Sequence, residues 1–532
     1  MNSYKIDNSS KWNDRLFMSR EQIRTYDKIA SEKYHIDSLV LMENAGRGAS
    51  EIIIKLFNGV TDKNKKAAVI AGPGNNGGDG FVITRHLINA GIPVMLFMAV
   101  AESSLKGDAL KNFIVLKDMK VPITYIDTEA KTENTDSGLK EYSIVIDALL
   151  GTGVERTIEG HLLHVLKLIN ESSSKIVSID IPSGLDADTG IDWGNGVTAD
   201  YTITFGHIKK GMLTSQNAFK TGKVFILPIG VPASASVDAG YEGVILDEQS
   251  VKKLLPKSSP MAHKGIMGHL AVVAGSYGKS GAAILTSKAA LRSGTGLVTI
   301  ATTAAAQESI EARSIEVMVT NMIEKADAPI TDKIIKKIPS LFEDKTAVAL
   351  GPGLTTAPGI SMLAMKILQS INVPAVVDAD GLNILAQDPS AAGRITTPMI
   401  FTPHPGEMAR LLNISTAQVQ ADRIGSAKKA ASWHKSIVVL KGSNTIIATP
   451  DGDVFVNPTG NCGMATAGTG DTLTGIIGGF LAQKIQPLEA AILGTFIHGK
   501  AGDQAVEKTG FAGLTASDII KELPLILKEW EI

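Results

Sequence analysis

The stretch from Asn461 to Ala482, NCGMATAGTGDTLTGIIGGFLA, carries residue types suited to phosphoryl chemistry. Gly468 and Gly470 bracket Thr469, and Asp471 follows at once, opening an apolar run that reads as a helix. Glycines at these places let successive backbone N–H groups face one concavity, because no Cβ blocks the approach. The helix behind adds the positive end of its dipole, so the loop can hold a phosphate or a developing oxyanion. A carboxylate there would repel a phosphate. It is better placed to take a proton from a hydroxyl attacking phosphorus. The same residues also fit a plain helix start, with glycines for the turn and Asp471 at the dipole end. Taken alone, the stretch supports both readings equally.

A second set of such residues lies in the first half. The buried run Ala67 to Ala71 leads into Gly72-Pro73-Gly74-Asn75-Asn76-Gly77-Gly78-Asp79-Gly80, with a helix expected from near Phe81. Strand, glycine loop and helix put a ligand at the carboxyl edge of a parallel sheet. Gly72, Gly74 and Gly77 satisfy G-x-G-x-x-G, and Glu102 lies beyond the next strand, but a lone match of this kind is weak. That fingerprint does not ask for Asn75, Asn76 and Asp79. Such side chains can merely satisfy turns, but three in one glycine loop favour a binding site. Two later strands end in acids beside glycine turns. Ser143 to Ala148 carries Asp147 and leads to Leu149-Leu150-Gly151-Thr152-Gly153-Val154-Glu155-Arg156. Lys175 to Ile179 ends at Asp180 and leads to Ile181-Pro182-Ser183-Gly184. Either aspartate alone could be a helix cap; with the asparagine loop they point to one shared site.

The elements that must hold these groups alternate along the chain. In the first half, helices are expected from Ser19 to Tyr34 and from Ser38 to Phe57, with strands at Val94 to Val100, Tyr201 to Phe205 and Lys223 to Leu227. Val231 to Gly240 is small, polar and without periodicity, and reads as an interdomain linker or exposed connection. The boundary is therefore set near residue 240, giving domains of 1–240 and 241–532 with no shared repeat. In the second half, strands at His269 to Ala274, Leu297 to Ala301, Ala347 to Leu350, Ala375 to Val377, Ile400 to Thr402 and Ile437 to Leu440 lead into polar, glycine-rich turns. This reads as one open α/β sheet. GSYGKS at Gly275 to Ser280 is not a P-loop, since only two residues separate Gly275 from Gly278. His404 stands between two prolines with no second His or Cys at ligand spacing, so zinc is not expected. Lys441 could reach a phosphate, although a solvated lysine is the usual default. Cys462 has no flanking base and reads as packing, not as a nucleophile.

Composition narrows the class. A chain of 532 residues needs more than one core. It is 44% hydrophobic and 20% charged, as in a globular enzyme rather than a disordered chain. The net charge of -2 comes without a basic block, so neither nucleic acid nor an anionic membrane is an expected partner. The single cysteine excludes an internal disulfide and fits a reducing cytosol. The polar N-terminal stretch MNSYKIDNSSKWNDR lacks the apolar core of a signal peptide, and runs such as IPVMLFMAVA are too short to span a bilayer.

NNGGDG, DALLGTG and DIPSGLDADTG, in this order over roughly residues 15 to 235, resemble the YjeF N-terminal family of NAD(P)H-hydrate epimerases. The resemblance implies a Rossmann-like three-layer domain. Asn75, Asn76, Gly77, Gly78, Asp79, Gly151, Thr152, Gly153, Val154, Glu155, Arg156, Thr157 and Asp180 fall at its nucleotide positions, and Asn76, Asp147 and Ser183 at its potassium positions. Interconverting the two hydroxyl configurations at C6 of the hydrated ring requires loss and return of water, and Asp180 is the candidate proton shuttle.

GSYGKSGA, GPGL, DADGLN, TPHPGE, KGSNT and GMATAGTGD, over roughly 245 to 530, resemble the ribokinase-like NAD(P)H-hydrate dehydratases, the YjeF C-terminal family. This second resemblance implies that Lys441, Gly442, Ser443, Asn444 and Thr445 hold a phosphate-donor nucleotide with Mg2+. Asn461, Cys462, Gly463, Met464, Ala465, Thr466, Ala467, Gly468, Thr469 and Gly470 belong to the same nucleotide set. Ala282, Gly353, His404, Pro405, Gly406, Glu407, Met408, Ala409, Arg410 and Asp471 fall at hydrate positions, with Asp471 as the catalytic base. Bacterial members use ADP and eukaryotic ones ATP. The whole resembles a bifunctional repair enzyme for NADHX and NADPHX, cytoplasmic and homo-oligomeric. The alternatives are a ribokinase-like small-molecule kinase for the second half, and a non-catalytic binding module for the first.

Overall fold

Short β-branched and alanine-rich runs, each closed by glycine or proline, become the strands. The computed structural model describes residues 15–59, 65–133, 135, 139–214, 217–256, 261, 263–324, 330–388, 395 and 397–531; the polar N-terminal stretch, Arg15 apart, lies outside them. The chain divides into two compact units, one ending at Gly243 and the other running from Val244.

In the first unit the strands are β1 (Leu16–Met18), β2 (Ala67–Ala71), β3 (Val94–Met98), β4 (Ile123–Tyr125), β5 (Ile144–Ala148), β6 (Lys175–Ile179), β7 (Tyr201–Phe205), β8 (Ile208–Lys209) and β9 (Lys223–Leu227). The main sheet has the order β4-β3-β2-β5-β6-β7-β9, and every pairing is parallel. Alternate residues serve opposite faces, as the pleat demands. Ala67, Val69 and Ala71 pack under the helices Ser38–Asn58, Asn75–Asn89 and Gly107–Asp118. Ala68 and Ile70 pack with Val165, Leu166 and Ile169 of the helix His161–Asn170. This is the three-layer Rossmann-like architecture the sequence leads one to expect. The chain runs outward through β3 and β4, then returns to the other side of β2 through β5, so the topological switch lies between β2 and β5.

Two expectations need correction. The helix after β2 begins at Asn75, not near Phe81, so Asn75 to Asp79 form its first turns rather than a loop. Gly77 makes this possible: a Cβ on it would stand 2.0 Å from the carbonyl oxygen of Gly72, so helix and strand end approach to backbone contact. Val231 to Gly240 is likewise no linker. Ala233–Ala239 is helical, and Ala235 is fully buried in a cluster with Ile23, Tyr26 and Ala30. Lys33 pairs with Asp238 at 2.6 Å, and the Tyr34 hydroxyl meets Ser234 Oγ at 2.6 Å. The small residues that suggested flexibility instead permit close helix packing.

In the second unit β10 (Gly243–Ile245), β11 (His269–Val273), β12 (Leu297–Thr303), β13 (Met318–Ile323), β14 (Ala347–Leu350), β15 (Ala375–Val377), β16 (Met399–Phe401), β17 (Ile437–Leu440), β18 (Thr445–Ala448) and β19 (Val454–Asn457) follow the order β13-β12-β11-β14-β15-β16-β17-β18-β19-β10. From β13 to β17 the sheet is parallel, while β17, β18 and β19 form an antiparallel excursion. Here the switch lies between β11 and β14. The helix Thr469–Ala482 supplies the core its apolar body, with Leu473, Ile476, Ile477 and Phe480 buried. Among the described residues no helix is long and apolar enough to cross a membrane.

Candidate active sites

The first site is a cavity of about 520 Å3 at the carboxyl ends of β2, β5 and β6, lined by Asn75, Asn76, Asp79, Gly151, Thr152, Gly153, Val154 and Asp180 among others. Glu155, Arg156 and Thr157 lie outside this lining and are exposed. Asp27, Tyr26 and Lys209 enter the cavity from distant elements, and no local motif announces them. Asp180 stands in the left-handed region at φ 64°, a conformation that costs a non-glycine residue about 1–3 kcal/mol and turns the chain at the strand end. One of its oxygens, Oδ1, takes an ion pair from Lys209 and a hydrogen bond of 3.3 Å from Phe205 N–H. The Lys209 ammonium also donates to Thr204 Oγ1 at 2.9 Å. Lys209 is almost wholly buried, so Asp180 answers its charge in place of solvent. Burial, reinforced by Asp180, holds the Asp79 carboxyl well above its usual range, and burial lifts Asp27 to about 6. Desolvated Asp79 and Asp27 thus share one cavity with the Lys209-paired Asp180, carboxyls in unlike surroundings of the kind acid–base chemistry uses.

Beside this cavity, Asp147 is satisfied by Ser178 Oγ at 2.8 Å, Ser183 N–H at 2.9 Å and Ser183 Oγ at 2.6 Å. Asn76 donates to the Leu150 carbonyl at 3.0 Å, while its Oδ1 is buried without a partner. An orphaned amide oxygen near a carbonyl, a hydroxyl and a carboxylate is an all-oxygen donor set, the kind suited to a hard monovalent cation.

The second site gathers the carboxyl ends of β14 to β17. Lys441 closes β17 and sets its ammonium 2.7 Å from Asp378 Oδ1 and 3.9 Å from Glu407 Oε2. Thr474, on the helix behind the glycine loop, donates to Asp378 Oδ2 at 2.8 Å. A Cβ on Gly470 would stand 3.3 Å from the Lys441 ammonium, so the loop passes directly over this cluster. Burial lowers Lys441, but Asp378 and Glu407 outweigh it and hold its pKa above the usual value. Burial and then Asp378 lift Asp471 to about 6. Ala282 and Gly353 meet: a Cβ on Gly353 would lie 3.0 Å from that of Ala282. His404 caps the helix Pro405–Leu412, its Nδ1 accepting from Gly406 N–H at 3.0 Å, with Glu407 reciprocating. Arg410 donates to Asn383 Oδ1 at 2.7 Å. Met408 and Ala409 are buried in the core. Asn461 caps the turn Cys462–Met464 and donates to Asp503. Thr469 anchors the loop through the carbonyls of Met464 and Thr466, each at 3.0 Å. Cys462 is exposed, so it does not pack as expected. Asp378 was visible in DADGLN but without a role. Its signal was an acid closing a strand beside the switch point.

Two clusters of carboxylate and lysine, each at the carboxyl edge of a parallel sheet, define a two-centre α/β enzyme. Residues 38–211 match the family model for the YjeF-related protein N-terminus, and residues 270–525 that for NAD(P)H-hydrate dehydratase. A bifunctional NAD(P)H-hydrate repair enzyme of Moorella thermoacetica is 38% identical over 505 residues, 95% of each chain. Those of Thermofilum pendens and Escherichia coli are 36% and 31% identical, over 95% of this chain in both cases and 95% and 93% of their own. A solved ADP/ATP-dependent NAD(P)H-hydrate dehydratase of Bacillus subtilis, crystallised with ATP and Mg2+, is 31% identical over 54% of this chain and 98% of its own, with a TM-score of 0.46. The chain belongs to the family of bifunctional NAD(P)H-hydrate repair enzymes.

Proposed function

We propose that the chain repairs hydrated nicotinamide nucleotides: residues 1–240 interconvert the R and S forms of NADHX and NADPHX, and residues 241–532 dehydrate the S form at the expense of a nucleotide phosphate. The observation carrying this reading is that each unit sets a carboxylate beside a lysine at the carboxyl edge of its parallel sheet, Asp180 with Lys209 in one and Asp471 near Lys441 and Asp378 in the other.

In the first site Asp180, paired with Lys209, passes a proton to the C6 hydroxyl so that it leaves as water, and takes a proton back when water re-adds, assisted by the lone pair of the ring nitrogen. Asn75 to Asp79 and Gly151 to Val154 hold the nucleotide. Asn76, Asp147 and Ser183 would hold a potassium ion, which supplies a fixed positive charge beside the bound nucleotide.

In the second site Asp471 takes the proton of the C6 hydroxyl, whose oxygen attacks the terminal phosphorus of ADP or ATP. The bond to the departing AMP or ADP breaks, and the N–H groups of Asn461 to Gly470, with Lys441, stabilise the charge on the transferred group. Phosphate then leaves C6 with its bonding pair, driven by the ring nitrogen, and loss of the C5 proton restores NADH or NADPH. The donor's phosphates would hold a magnesium ion, which would supply neutralising charge as the phosphoryl group transfers. His404 to Arg410, Ala282 and Gly353 seat the hydrate. The same reading makes the enzyme a cytosolic homo-oligomer, which gel filtration of the purified chain checks.

The test is recovery of reduced-nicotinamide absorbance from a mixed R/S hydrate preparation, with ADP, with ATP and with neither. Full recovery with one nucleotide alone is expected. Recovery stopping at the S fraction removes the epimerase half of the proposal. No recovery with either nucleotide overturns the dehydratase half.

A further inference from the structure

Behind the phosphate-donor loop lies a charge that neither site motif contains. Arg423 opens the helix Arg423–His434 and is 6% exposed. Its Nη1 donates to the Ser443 carbonyl. Its Nη2 donates to the carbonyls of Leu440 and Lys441, both at 3.3 Å. Nε is buried without a partner. Gly442, at φ 141°, crosses so closely that a Cβ would stand 2.8 Å from Nη2. No carboxylate among the described residues pairs with this guanidinium, and burial pulls its pKa down to about 10 with nothing to offset it. A buried cation answered only by carbonyl dipoles is costly to keep, and an incoming anion relieves that cost.

From this geometry we infer that Arg423 is a positioning residue for the phosphate donor: it gathers three carbonyls of the segment Leu440 to Ser443 onto itself and leaves its charge to be balanced by the bound nucleotide. The inference rests on the reading that this segment holds the donor. Gathering the oxygens keeps their negative ends away from the donor's phosphates and fixes the chain from which Lys441 projects. The guanidinium fork spans carbonyls on three residues, whereas a lysine ammonium is a single point on a flexible stem.

The test compares wild type, Arg423→Lys and Arg423→Met as full-length chains. Nucleotide binding is read by calorimetry with Mg–ADP and Mg–ATP, and the KM values of nucleotide and S-hydrate are read separately. In Arg423→Lys the dissociation constant and KM for nucleotide rise about 10- to 100-fold, the loss expected for hydrogen bonds to a charged group. The KM of the hydrate stays within about threefold, which certifies folding of the second unit, and epimerisation by the same chain is unchanged. In Arg423→Met the thermal stabilisation conferred by nucleotide shrinks even if the ligand-free protein melts no lower, because the uncompensated charge is gone. A folded Arg423→Lys that binds nucleotide as wild type does, or that loses affinity for hydrate and nucleotide alike, overturns the inference. Wild type that binds nucleotide but turns over no hydrate overturns the proposed dehydration and leaves this inference standing. Wild type that binds no nucleotide overturns both.

Discussion

Each unit braces a site loop from behind with a buried arginine, and the two differ in what answers the charge. Arg20 sets its guanidinium against Asp186 at 2.7 Å and Glu155 at 2.6 Å, and donates to the Val154 carbonyl at 3.0 Å, so the loop after Gly151 hangs on a cation answered by two carboxylates. Arg423 holds carbonyls alone. A neutralised brace fixes its loop whether or not a ligand is present. An unanswered charge holds a loop equally well but makes its energy depend on what binds. The contrast suits the chemistry proposed for each centre: a site that rearranges one substrate needs only shape, whereas one that consumes a polyphosphate profits from waiting positive charge.

The sharpest division between the centres is catalytic. Asp471→Asn lowers dehydration of S-hydrate by roughly 10²–10⁴-fold, the usual worth of a general base, and leaves epimerisation intact. Asp180→Asn does the reverse. Both rates are followed on the same preparations, and loss of both activities in either variant would break the picture of separate chemistries.

Arg20→Ala strips the counter-ion from buried Asp186 and costs about 3–5 kcal/mol of the first unit's stability. Epimerase activity then decays faster on heating than dehydratase activity, which residual assays after timed incubation detect. Equal decay of the two would mean that this ion pair stabilises nothing local.

A smaller effect is expected from pH. Asp471 must be ionised to act, and its folded pKa is raised to about 6, so the dehydration rate climbs as pH rises through 6 and then levels. Stability runs the other way. The contribution from protonated Asp471 is fully present below the ordinary carboxylate value and is lost as pH rises through about 6. A rate profile flat from pH 5 to 8 would remove Asp471 as the base.

The least change is expected from Cys462→Ser. The residue is exposed and has no base beside it, so dehydration shifts by about 0.5 kcal/mol at most, roughly twofold. A larger rise in the nucleotide KM would give the thiol a contact the geometry does not suggest.

Much of this architecture is legible in the chain. Ala67 to Ala71, Lys175 to Ile179 and Ile437 to Leu440 are strands because short, bulky or tightly packing runs end in residues that cannot continue them. Asp180 and the asparagine segment stand out because they converge with Asp147 on the ends of neighbouring strands, and Asp471 because a glycine turn precedes it, although each acid alone also fits a helix cap. What is not legible depends on long-range geometry. Lys209 reaches Asp180 from 29 residues away and Lys441 reaches Asp378 from 63, separations that carry no local periodicity. Arg423 resembles any helix-start arginine until β17 is laid across it. The Asn75 helix start and the Ala233–Ala239 helix were misread for one reason: small residues look like loop in a sequence and behave as contact surface in a fold.

The antiparallel excursion of β17, β18 and β19 has a practical consequence. β18 carries the chain away from the donor loop and β19 brings it back to Asn457, just ahead of the glycine turn. At the far end the chain reverses at Thr449 to Asp453, where Asp451 is exposed and Gly452 stands at φ 96°. This reversal is therefore a permissive handle: a dye or an affinity tag grafted there would sit one strand length from the chemistry, rigidly coupled to it by two hydrogen-bonded rails. A reporter at that tip would sit on the strands that join Lys441 to Asn457 without occupying the site.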